Sequence, residues 1–308
     1  MKKIIGSLYV SAALLVSQGA AAMSIPLAEY NLVVAGDYVH EGGSVWGKTF
    51  IGGDLNGGAS EFAVQVPAAP VVDSLQVVGD INAGHVKVKS GNLVHGGAIS
   101  SSSNVELHGA GASIVHDAGL SIDGVVADLK SASQTFSSMS GVGNSASFVN
   151  GAFSYSGTSS VAFFDMSYDE LFRQNTNFTF SGVQADTLII NVSGTHVNTG
   201  YGYNFPGLDL SGNSGLGASD ILWNFFEAEE LTVSNPIVGS ILAIDADVTL
   251  MGTLDGSLAA GSLRTQRQIH DYEYPHDVST VPLPGSSVLF GSALLAFAAA
   301  RYRRKKRA

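Results

Sequence analysis

The chain has 308 residues, no cysteine, 37 glycines and only 13% Asp, Glu, Lys and Arg, about half the charge usual for a soluble domain. With 45% apolar residues it can build a sizeable core, so a disordered polyelectrolyte is excluded. The absence of cysteine excludes disulfide scaffolds, thiol catalysis, thiolate-bound zinc and a lipoprotein anchor, and a net charge of -11 argues against nucleic-acid binding.

In chain order, Lys2 and Lys3 precede a short apolar run (residues 4–16) and the small residues Ala20-Ala21-Ala22. This predicts a secretory signal peptide over residues 1–22, cleaved at the Ala20/Ala22 site. Short motifs then recur. Gly36-Asp37-Tyr38 is answered 17 residues later by Gly53-Asp54-Leu55, and Gly79-Asp80-Ile81 is answered 18 later by Gly97-Ala98-Ile99. Gly239-Ser240-Ile241-Leu242-Ala243 returns 17 later as Gly256-Ser257-Leu258-Ala259-Ala260. Alternating segments such as Val86-Lys87-Val88-Lys89 lie between the turns. A period near 17 is too short for a propeller blade and suits one coil of a β-solenoid, with glycine at corners for its access to positive φ. A β-sandwich is the alternative, disfavoured by the lack of clear Asn-Gly hairpin signals.

Ile122, Val125, Val126, Leu129, Phe136 and Met139 follow helical spacing, so residues 120–139 are predicted to form one amphipathic helix flanking the coils, with Gly124 weakening its first turn. Ser167-Tyr168-Asp169-Glu170 is a capping-box pattern that starts a second, short helix. Strand returns over residues 175–186, and residues 187–192 read as a buried run. The loop carrying Tyr201 and Tyr203 is an exposed candidate for stacking on sugars, whereas Trp46 and Trp223 are expected in the core. Residues 209–220 form a glycine-rich loop without the spacing or terminal Glu of an EF-hand. Asp245 and Asp247, two apart on one strand face with Asp255 nearby, could bind Ca²⁺ or act as acid and base, although a solvated acidic row accounts for them as well. His270-Asp271 and His276-Asp277 are expected in a solvated linker, and His85, His95, His108 and His116 are too irregular for a common ladder. Thr176, Thr179, Thr187, Thr195 and Thr199 make no sustained T-x-T array, so ice binding is not expected.

The chain closes with Val281-Pro282-Leu283-Pro284, sixteen uncharged residues (285–300), and Arg301, Arg303, Arg304, Lys305, Lys306 and Arg307. Sixteen helical residues rise about 24 Å, a minimal transmembrane span with its basic end held on the cytoplasmic side. Without both termini, seven basic residues face 26 acidic ones, a balance of -19. The tail resembles the PEP-CTERM sorting signal, with Pro282-Leu283-Pro284 where that family's name has Pro-Glu-Pro. The resemblance implies processing by an exosortase-type enzyme near the proline motif, transient anchoring in the inner membrane of a Gram-negative bacterium, and delivery to the outer surface or an exopolysaccharide matrix.

Residues 30–38 and 45–55, with Ile221-Leu222-Trp223-Asn224-Phe225, Leu254-Asp255-Gly256-Ser257-Leu258 and His270, resemble the choice-of-anchor A domain; Ile244 stands where that family usually has proline. This implies an extracellular β-helical domain over residues 23–275, followed by a linker and sorting motif (276–284), the membrane helix (285–300) and a basic tail (301–308). No catalytic residue can be carried over, and no phosphate loop, HExxH or serine elbow is present. The expected function is a non-catalytic adhesive or structural role with no cofactor, although Ca²⁺ could bind at the acidic residues. A polysaccharide lyase or hydrolase is the alternative.

Overall fold

The computed structural model describes residues 21–139 and 146–280. The predicted membrane helix and the sorting motif therefore lie outside the described residues, as does Ala20. Among the described residues no helix is long and apolar enough to cross a membrane. Contacts divide the chain into residues 24–278 and a remainder formed by 1–23 with 279–308. At the edge of that remainder Ala21–Met23, which contains Ala22, pairs with Val278–Thr280.

The larger unit is mainly β, built from parallel sheets with two α-helices, in a β-helix-like arrangement. Each coil contributes a strand to three walls in turn. Coil one gives Leu32–Val34 to the first wall, Tyr38–His40 to the second and Ser44–Val45 to the third. Coil two repeats the order with Thr49–Ile51, Leu55–Gly57 and Ala59–Phe62. Leu32 pairs with Thr49, Tyr38 with Leu55, and Val45 with Phe62, so the 17-residue sequence period is the physical register. In the other half Ile241 pairs with Leu258 and Ile237 with Leu254 at the same offset. Inward positions stack into columns: Trp223, Ile241, Leu258, Leu32, Thr49, Leu75 and Leu93 form one of them, all buried and apolar except Thr49.

Glycine at the corners acts by a different route from the one the sequence suggests. Gly36, Gly53, Gly79 and Gly97 do not have positive φ. They are needed because stacked corners touch. A Cβ on Gly53 would lie 2.6 Å from the backbone carbon of Gly36, and one on Gly79 would lie 2.6 Å from that of Gly53. Other glycines do use the left-handed region, as at Gly57 (φ 114°) and Gly239 (φ 102°).

The coils are not stacked in chain order. The first-wall strands run, from one end, Ile114–His116, Asn92–His95, Asp73–Val77, Thr49–Ile51, Leu32–Val34, Leu258–Thr265, Ser240–Leu250, Ile221–Asn224, Thr187–Ser193 and Val161–Ser167. The first coil thus lies mid-stack and pairs with the last, Leu32 against Leu258 and Tyr38 against Leu263. Asn31, fully buried, seals this seam: its amide donates to the carbonyls of Gly256 (3.0 Å) and His270 (2.9 Å), and its Oδ1 accepts the Gly47 N–H.

Helix α1 (Asp123–Ser138) follows the predicted stripe and buries Leu129, Ala132, Ser133 and Phe136 against the outward side of the first wall. There the wall presents an asparagine ladder. Asn224 Oδ1 accepts the Ser133 hydroxyl (2.7 Å), and its amide donates to the Ser133 carbonyl (3.0 Å) and to Asn191 Oδ1 (2.9 Å). The Asn191 amide donates to the Phe136 carbonyl and to Asp165. Helix α2 (Tyr168–Leu171) begins as its capping pattern predicts, with Ser167 Oγ accepting the Glu170 N–H. A hairpin of Ala146–Val149 and Ala152–Tyr155 turns on Asn150-Gly151, both with positive φ. This is an Asn-Gly hairpin signal that the sequence does contain, set beside the coils rather than replacing them.

Candidate functional site

The second wall turns a regular polar face outward. Its inward column is Val197, Leu231, Val248, Leu263, Tyr38 and Leu55, continued by Ile81. Side chains alternate along a strand, so the neighbours on either side point out. One outward column holds Glu230, Asp247, Ser262, Asp37, Asp54 and Asp80 on successive coils, and the next holds Thr232, Thr249, Arg264, Val39, Asn56 and Asn82. Adjacent strands lie about 4.8 Å apart, close enough for like charges to repel. The backbone offsets that repulsion. Asp37 Oδ1 accepts the Asp54 N–H (2.8 Å), Asp54 Oδ1 accepts that of Asp80 (2.7 Å), and Asp80 Oδ1 accepts that of Ala98 (2.7 Å). The repeated Gly-Asp pair is the sequence signal of this ladder: glycine lets the corners touch and aspartate ties one coil to the next. Asn82 donates to Asn56 in the neighbouring column (3.3 Å), and Asp247 accepts the Ser262 hydroxyl (2.6 Å).

The three aspartates expected as a cation site are not brought together. Asp245 and Asp247 do share an exposed face of one strand. Asp245, however, is paired with Lys130 of α1 at 2.6 Å. Asp255 lies on the third wall, where its carboxylate meets His270 Nδ1 at 2.5 Å and the other ring nitrogen meets Gln268. Among the described residues no group of three or more His, Asp or Glu side chains is arranged to hold a metal ion.

The aromatic expectations divide. Tyr201 is exposed, whereas Tyr203 is buried; its hydroxyl donates to the Asn235 carbonyl, and burial raises its pKa to about 12. Tyr203 therefore offers no surface for a ligand. Trp223 is in the core with its indole donating to the Val238 carbonyl. Trp46, expected there too, instead sits half-buried on the outward side of the third wall, its ring 4.0 Å from that of His270.

Residues 270–278, expected as a solvated linker, form a packed strap. Tyr274 is fully buried and its hydroxyl pairs with that of Thr187, while His276 meets Asp220 at 2.7 Å. Where the strap passes Lys48 and Glu29, Asp271 and Glu273 are half-buried. Burial raises both carboxyl pKa values, that of Glu273 to about 7 with help from the Asp271 charge. Of the histidines judged irregular, His95 and His116 do stack on adjacent coils, with ring centres 5.1 Å apart, while His85 and His108 both approach Glu106. In the loop over 209–220, Asp209 accepts the Ser211 N–H, and Gly212 and Gly215 take positive φ.

Residues 24–271 match the family of ice-binding-like adhesive domains, and the chain belongs to it. No curated protein matches the chain significantly. Among solved structures it is similar to an ice-binding protein from the Antarctic ascomycete Antarctomyces psychrotrophicus, at 13% identity over 81% of this chain and 98% of that one, with a TM-score of 0.31. An ice-binding protein from an Antarctic biological consortium is similar at 11% identity over 84% and 94%, with a TM-score of 0.27. Family membership supports a non-catalytic role at a surface.

Proposed function

We propose that the chain is an exported adhesive protein of the cell surface or extracellular matrix, and that it holds on to polymer through the outward face of its second wall. The observation that carries this reading is the pair of columns there, carboxylates interrupted at Ser262 beside hydroxyls and amides interrupted at Arg264 and Val39, stacked coil by coil at strand spacing. Repetition on a rigid frame suits many weak contacts to a repeating ligand, since each contact raises the effective concentration for the next. The column is acidic, so contact with an acidic polymer there would run through a divalent cation such as Ca²⁺, whereas a neutral glycan could be held by direct hydrogen bonds.

Delivery completes the proposal. The signal segment 1–22 directs export. The choice-of-anchor A-like domain is carried as far as residue 275, and the PEP-CTERM-like end (Val281 to Pro284, the apolar 285–300 and the basic 301–307) holds it in the inner membrane until an exosortase-type enzyme acts. The test is to express the full chain in an exopolysaccharide-producing Gram-negative host and fractionate the cells, then to pull down matrix polymer with and without Ca²⁺. Surface recovery with polymer retention is expected, retention falling when Asp37, Asp54 and Asp80 are replaced together by asparagine in the acidic-polymer, Ca²⁺ arm. Recovery in the cytoplasm, or depolymerisation of any matrix glycan, would overturn it.

A further inference from the structure

We propose a second, separate binding site: the cleft beside Arg173 at the far end of the stack, which takes a carboxylate-bearing saccharide unit. It rests on the adhesive reading above and names a ligand class for it. The cleft, of about 390 Å³, is formed where the Asn150-Gly151 hairpin tip faces the segment leaving α2. Seven basic residues lie between the two terminal segments. Lys48 pairs with Glu29, Lys87 and Lys89 with Glu61, Lys130 with Asp245 and Arg264 with Glu41, while Arg267 donates to the Met251 carbonyl. Arg173 alone, among the described residues, has an exposed guanidinium with neither an ion-pair nor a hydrogen-bond partner. In a domain this acidic, a guanidinium left unpaired is the one local focus for an anion, and its planar fork matches a carboxylate.

The groups around it are also unspent. Asn150, Gln174 and Asn175 line the same cleft, exposed, with no side-chain bond among the described residues. Each amide offers both donors and an acceptor, the complement of vicinal hydroxyls. Val149 at the rim is 62% exposed and provides an aliphatic surface for the C–H face of a sugar ring. A charge, several hydroxyl partners and one apolar contact together describe a uronic acid better than a peptide carboxylate, which would leave the amides idle. Glu170 also lines the cleft and carries the opposing sign, which gives the test its second handle.

The full chain is titrated in detergent, by calorimetry, with oligomers of galacturonate, glucuronate and mannuronate, with their methyl esters, and with a short acidic peptide and a sulfated neutral oligosaccharide. Saturable binding of at least one oligouronate is expected. It should weaken at least about tenfold in Arg173→Gln and on methyl esterification, and tighten in Glu170→Gln. Both substitutions are on exposed side chains, so the fold serves as its own control by circular dichroism. If no oligouronate binds, if Arg173→Gln binds as well as the unaltered chain, or if only the peptide or the sulfated sugar binds through Arg173, the proposal is overturned. Where one of these outcomes overturns it, retention of matrix polymer by the chain still leaves the adhesive reading standing.

Discussion

The asparagine ladder under α1 gives the sharpest test of how the helix is held. Asn224 is fully buried and makes three hydrogen bonds, at 2.7, 3.0 and 2.9 Å, to Ser133 and Asn191, which are themselves buried. Replacing Asn224 with alanine strands Asn191 Oδ1 and half-strands the Ser133 carbonyl, while the Ser133 hydroxyl can rotate back to the helix backbone. Each stranded buried group costs roughly 1–3 kcal/mol, so a loss of about 3 kcal/mol is expected. In a domain of this size that is a fall in Tm of about 6–12 °C. Urea unfolding of the full chain, followed by the emission of Trp223 beside the ladder, measures it directly. Ser133→Ala alone should cost about 1 kcal/mol, because it removes a single bond. The double variant should then be less destabilised than the sum, as expected for residues that share a bond. A loss below about 1 kcal/mol for Asn224→Ala, or strict additivity in the cycle, would mean that apolar packing holds the helix and the ladder is incidental.

Three further outcomes follow from the coils. Gly53→Ala should destabilise by about 2 kcal/mol or more although its φ is ordinary, because its Cβ would strike the backbone of the coil beside it, whereas Gly58→Ala meets nothing within 4 Å and should fall within about 0.5 kcal/mol of neutral; thermal melts separate the two. Asp54→Ala should cost about 1 kcal/mol by removing the acceptor of the Asp80 N–H, while Asp54→Asn keeps that oxygen, relieves repulsion and should be neutral or stabilising in denaturant titration; equal losses would refute the ladder. Burial lowers the pKa of His40 to about 4, so the folded chain binds fewer protons than the unfolded chain between pH 4 and 6.5, and about 3 kcal/mol of stability present above pH 6.5 is lost as pH falls through that window. Glu273, raised to about 7, acts with the opposite sign, stability falling as pH rises from about 4.5 to 7, but it is half-exposed and worth about 1 kcal/mol after screening. His40→Phe should therefore flatten the acid limb and Glu273→Gln should steepen it; an unchanged slope in His40→Phe would refute the assignment.

What the sequence discloses here depends on how local the cause is. The Gly-Asp pairs could be read as coil corners because neighbouring coils repeat the same motif within 17 residues, and α1 could be read because its apolar stripe is internal to it. The physical role of Gly53 could not be read, since φ demand and close approach leave the same letter. Trp46 and Tyr203 exchanged expectations because a motif or a loop position does not say which side of a strand faces the core. Tyr274 sits in a Pro- and His-containing segment that resembles a linker, and its anchors, Thr187 and Leu27, are far away in sequence. The polar columns were half legible: each carboxylate was visible, but their alignment needs the register. Arg173 carried no signal at all, as it is distinguished only by what the other basic residues are doing.

The mid-stack seam sets a schedule for synthesis. Leu32–Val34 needs Leu258–Thr265 as its neighbour on one side, so that side of the first coil is bare until more than two hundred later residues have been made. An unpaired, apolar parallel edge is a template for wrong partners, and the wait raises the contact order of the very pair that unites the halves. The N-terminal coils can thus nucleate early but cannot finish. A chain cut between Ser240–Leu250 and Leu258 would keep two sticky half-stacks in place of one shorter, well-made rod. The protein is therefore expected to lose solubility abruptly on truncation from the C-terminal side, and to depend on a holding factor, or on speed of delivery, while its last coil is still on the way.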